Sequence, residues 1–140
     1  MIASLLILAM LQSPQRAAAD PCASAKPAAS LRALVVLPSN AARDTVIRAT
    51  VCVVPPAGSA PVIGSYHGEL HFDSTVVREV AVEKAAGGVR VENANLKGQV
   101  NFAGAAPSGL PGRALVTVVL RLRRAGTTPA VRLTMKELNS

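Results

Sequence analysis

Aromatic residues are almost missing from this 140-residue chain, which has one Tyr, two Phe and no Trp. So few rings leave little to stack on nucleobases, which argues against nucleic acid as a partner despite a formal net charge of +7. Lys and Arg are also spread along the chain, with one local cluster at Arg121, Arg123 and Arg124. No apolar run approaches the ~20 residues that a membrane-spanning helix needs. No segment beyond the first residues repeats apolar side chains with a period of 3.6, so little helix is expected. Nucleophile elbows, phosphate loops and metalloprotease helices are missing too. The eight acidic residues are scattered and have no aromatic cleft around them, so a glycosidase site is not expected. The chain reads as a domain without catalytic machinery or a cofactor.

What is present is valine, alanine and punctuation. Half of the residues are hydrophobic, and 10 Gly and 10 Pro separate short β-branched runs. Such a pattern predicts an all-β sandwich or barrel in one domain. The segment from Val62 to Val82 reads as a strand, a tight turn and a second strand in a hairpin-like unit. From Gly64 to Phe72 the side chains alternate, which places Tyr66, Gly68, Leu70 and Phe72 on a core face. Ser65, His67, Glu69 and His71 fall on the other face. Asp73-Ser74-Thr75 supplies the turn.

Further strands are predicted at Leu31–Leu37, Asp44–Val54, Gly98–Ala103, Arg113–Arg123 and Ala130–Leu138. Val89–Val91 reads as a short strand at best, and Asn93 to Lys97 as a turn. In Arg113–Arg123, Leu115 and Val119 interrupt an otherwise polar face, as if covered by a loop or partner. In the last strand, simple alternation puts Glu137 with Val131, Leu133 and Met135, and Leu138 on the opposite face.

The first 19 residues read as a signal peptide. Ile2–Leu11 is an apolar block of suitable length, and Ala17-Ala18-Ala19 offers small residues at a cleavage position before Asp20. No Lys or Arg precedes the block, and the alternative is a buried N-terminal strand or helix. Cys22 does not stand in a lipoprotein setting. Residues 20–30 form a Pro/Ala-rich tail, and 31–140 the folded domain. In an oxidising compartment Cys22 and Cys52 are expected to pair, tying the tail to the second strand; two free thiols are the alternative. The expected location is secreted, periplasmic or at the cell envelope, with no membrane attachment after cleavage.

His67, Glu69 and His71 are the one cluster of potential ligands. Neighbours on one strand face lie ~6.6 Å apart, so His67 and Glu69 could share an ion at ~2 Å metal–ligand distances. His67 and His71, ~13 Å apart, could not easily do so. A polar sheet face without metal is the expectation, and that face is a candidate docking surface.

Several of these residues also resemble the cohesin domain of bacterial cellulosome scaffold proteins. The succession is Gly64, then Leu70-His71-Phe72-Asp73-Ser74-Thr75-Val76-Val77, then Val80-Ala81-Val82-Glu83. Gly98-Gln99-Val100, Gly112 before the strand Ala114–Leu122, Gly126-Thr127-Thr128 and the closing Glu137-Leu138 extend the resemblance over Leu31 to Leu138. Ser74 stands where that family usually has proline. The resemblance implies a jelly-roll β-sandwich of eight to nine strands, related to carbohydrate-binding modules. It also implies a protein partner, a calcium-binding dockerin-like module or a cell-surface protein, docked on the sheet that contains Ser65, His67, Glu69 and His71. The alternative is a module that binds cell-wall or plant polysaccharide. Sugar platforms need exposed rings, whereas Tyr66, Phe72 and Phe102 all fall on predicted inward faces.

Overall fold

The computed structural model describes residues 20–23, 25–41, 43–59, 62–87, 89–110, 112–126 and 128–140. The proposed signal peptide, residues 1–19, lies outside the described residues. Eight strands follow in order: β1 (Arg32–Val36), β2 (Val46–Val54), β3 (Ser65–Phe72), β4 (Val77–Ala85), β5 (Val89–Leu96), β6 (Gln99–Ala105), β7 (Ala114–Leu122) and β8 (Val131–Asn139). They form two four-stranded sheets, ordered β1-β2-β7-β4 and β5-β6-β3-β8. Every neighbouring pair is antiparallel. β7 between β2 and β4, and β3 between β6 and β8, give the nested pairing of a jelly-roll sandwich. The ninth strand that the resemblance allowed is not among the described residues.

The β3–turn–β4 stretch is not a hairpin. β3 and β4 lie in different sheets, and the turn at Asp73–Val76 carries the chain across the core. Its chemistry was legible: Asp73 accepts hydrogen bonds from the Thr75 backbone N–H (2.9 Å) and hydroxyl (2.7 Å). A turn of this kind reverses the chain but does not decide which strand lies beside the next one.

β5 is also longer than its polar composition suggested. Asn93 pairs with Asn101 of β6, and Lys97-Gly98 closes the β5–β6 connection with Gly98 at φ +72°. An edge strand tolerates polar residues because only one side of it pairs and much of it meets water.

The core lies between the sheets. Ile47, Ala49, Val51, Val118, Leu120 and Leu122 enter from the first sheet, and Tyr66, Leu70, Val100 and Phe102 from the second. Tyr66 and Phe102 are each only 2% exposed, and their ring centroids lie 6.1 Å apart. Each ring faces a glycine on the neighbouring strand, Tyr66 opposite Gly104 and Phe102 opposite Gly68. The Tyr66 hydroxyl donates to the Ala86 carbonyl and lies 3.5 Å from that of Leu115. The second-sheet ring is thereby tied to the edge of the first sheet.

The structure resolves two irregularities of the sequence, one of them by a bulge. Between β2 and β7 the register slips at Val51/Cys52, so Val116 faces Val51 and Ala114 faces Cys52. Leu115 is thus turned into the core beside Val116. Val119 lies on the outer face between Arg48 and Ala81 and is buried there. Its cover is not a loop: Arg48 of β2 and Glu83 of β4 join at 2.8 Å over the intervening β7.

Candidate binding face

Strand β3 presents Ser65, His67, Glu69 and His71 on the outer face of the second sheet, as its alternation required. The register sets Ala105, Ala103, Asn101 and Gln99 of β6 beside them on one flank. On the other flank lie Asn139, Glu137, Thr134 and Arg132 of β8. A bulge between His67 and Gly68 leaves Lys136 opposite no residue of β3. Glu137 therefore faces outward, and Leu138 packs inward opposite Tyr66, the reverse of their expected placement. One extra residue inverts the alternation beyond it.

Hydrogen bonds hold this face in place. Glu69 Oε2 lies 3.1 Å from His71 Nε2, and Glu69 Oε1 lies 3.6 Å from Lys136 Nζ. Glu137 Oε1 accepts from Ser65 Oγ (2.7 Å) and from Asn139 Nδ2 (2.6 Å). Gln99 donates to Asn101 (2.6 Å). His67 is exposed beside Ala103, and a shallow hollow of about 300 Å³ beside it is lined by Ser65, Arg90, Ala103, Ala105 and Glu137. Glu69 is thus engaged with His71 and Lys136 rather than with His67. Among the described residues no group of three His, Cys, Asp or Glu side chains is placed to hold a metal ion. Chemically the face offers fixed acceptors at Glu69 and Glu137, donors at Lys136 and Arg132, and two imidazoles.

Ser65, His67, Glu69 and His71 were readable from period-two spacing on one strand. Glu137, Lys136 and Asn139 were not, because their placement depends on the bulge. Its trace in the sequence is Leu138, an apolar residue out of phase with Val131, Leu133 and Met135.

The outer face of the first sheet is different. Cys22 and Cys52 are joined by a disulfide and both are fully buried, with Cα atoms 5.5 Å apart. Arg113 anchors the tail further, with Nη2 3.2 Å from the Ala25 carbonyl and Nε 3.1 Å from that of Val53. Ala28 pairs with Pro56. A groove of about 720 Å³ remains between the tail, the end of β1 and the middle of β2, lined by Pro21, Val36, Leu37 and Thr50. The tail thus covers part of β2 on one sheet, while Arg48, Glu83, Arg121 and Glu79 remain exposed elsewhere on it.

No protein-family model matches the chain, and no curated protein does. Among solved structures, the cohesin module of a family 33 glycoside hydrolase from Clostridium perfringens ATCC13124 superposes with a TM-score of 0.51 at 10% identity. That match covers 80% of this chain and 98% of the module. A chain of the CaDoc0917–CaCohA2 complex superposes at 0.48, also at 10% identity, over 69% of this chain and 76% of that one. The fold is cohesin-like, as the residues around Asp73 suggested.

Proposed function

We propose that this domain is an exported, non-catalytic module that binds a protein partner of dockerin type through Ser65, His67, Glu69 and His71 on the outer face of the second sheet. The observation that carries the reading is the hydrogen-bonded polar face, on a cohesin-like fold whose other sheet is partly covered by its own tail at β2. The Cys22–Cys52 disulfide supports an oxidising location. Burial of Tyr66 and Phe102, with Phe72 half-buried, supports protein over polysaccharide, since a sugar platform needs rings in the open.

Titration calorimetry against a panel of dockerin modules tests it. One of them binds, and a chelator abolishes the binding because calcium belongs to the partner. Glu69→Ala releases both His71 and Lys136 and weakens the complex about 10- to 100-fold. Retention on cellulose or chitin, with no dockerin bound, overturns the proposal.

A further inference from the structure

Most of the cations with a described role serve the protein itself. Arg48 pairs with Glu83, Arg121 with Glu79 and Lys136 with Glu69, while Arg90 and Arg113 donate to backbone carbonyls. Three others are spare and converge. Arg78 at the start of β4, Lys97 in the β5–β6 turn and Arg123 just after β7 line one hollow of about 270 Å³ at an end of the sandwich. Among the described residues none of the three has a carboxylate within ion-pair distance. All eight acidic side chains of the chain are described. Glu79 also lines the hollow but pairs with Arg121 at 3.6 Å. Asp73, nearby in the turn, spends its carboxylate on Thr75. Ser74 and the half-buried Phe72 also line the hollow.

Unpaired like charges around one hollow repel each other, and an anion seated among them removes that repulsion. Two guanidinium forks suit the paired oxygens of a tetrahedral oxyanion, and Lys97 adds a point charge. We infer that this hollow is an anion-binding site for a sulfate or phosphate group, taken as the free ion or as an ester on a polysaccharide. None of Ser65, His67, Glu69 and His71 lines the hollow, and the site stands independently of the reading proposed for them.

Thermal unfolding of the whole domain tests the inference with inorganic sulfate against chloride at matched ionic strength. Sulfate stabilises proteins in general, so the readout is the excess over a triple variant, Arg78→Gln, Lys97→Gln and Arg123→Gln. At a tenfold excess of sulfate over its Kd the unaltered domain gains about 5 °C more than that variant. A charge-matched control, Lys26→Gln, Arg32→Gln and Arg43→Gln, keeps the full gain. Calorimetry with a dextran sulfate oligosaccharide, competed by inorganic sulfate, separates the polymer from the free ion. Equal gains in all three proteins, or equal loss in both variants, overturn the site. Tighter binding of a single-stranded oligonucleotide than of dextran sulfate overturns the polysaccharide assignment.

Discussion

Gly104 lies opposite Tyr66, and a Cβ built on it would stand 2.5 Å from the ring. Gly68 bears the same relation to Phe102, at 2.7 Å. The ring atoms are held on both sides, so an added methyl displaces a packed side chain. Gly104→Ala should therefore cost about 1–3 kcal/mol, read as a lower urea midpoint. The inward direction of Tyr66 and Phe102 was legible in the alternation of β3 and β6. The pairing of each ring with a glycine was not, because it depends on register between strands distant in sequence.

Burial also raises the ionisation of the Tyr66 phenol above its ordinary value of 10.0. Nearby Glu92 adds to the shift and Arg90 partly offsets it. Above that ordinary value the unfolded chain has lost this proton while the folded one keeps it, so stability falls as pH rises. Urea unfolding followed from neutral to strongly alkaline pH should show a midpoint that declines only above about pH 10. A phenol absorbance titration of the folded domain should lag behind that of the denatured chain.

At the scale of elements, the central strands were easiest to read. β2, β3 and β7 carry the clearest β-branched or alternating runs, and their ends match expectation within two residues. The errors fall where pairing overrides local pattern. β5 is a full edge strand despite Asn93 and Asn95, and β8 changes phase at Lys136. The β3–β4 turn joins two sheets where it looked like the tip of a hairpin.

The tail is an element of another kind, without regular structure and held by one covalent bond. Cys22 and Cys52 stand 30 residues apart. By the chain-entropy model a loop of this size contributes about 3–4 kcal/mol. Reduction should lower the unfolding free energy by about that amount, measured by urea titration with and without dithiothreitol. It should also free the tail from the outer face of β2 and admit proteolysis around Ala25.

Over the whole molecule, stability is unevenly distributed. β2 and β7 are paired on both sides, and their inward residues are fully or almost fully buried. β1, β4, β5 and β8 are edges. Amide hydrogen exchange should be slowest at Val51 and Val118 and fastest along β5 and β1, since edge groups open without disturbing the core. Equal protection of β5 and β7 would contradict this sheet order. The fold class was legible because one composition and one period run through the chain. The candidate face was only half legible: β3 supplies it in a single local run, while β8 contributes through a register that no short stretch encodes.

The chain has one tyrosine and no tryptophan, and that tyrosine spans the gap between the sheets. Its ultraviolet emission therefore comes from a single point, where the hydroxyl meets the Ala86 carbonyl. Any event that parts the two layers frees that phenol to water. The domain thus carries a native optical gauge of its own closure, readable without a label during refolding or reduction of the tail.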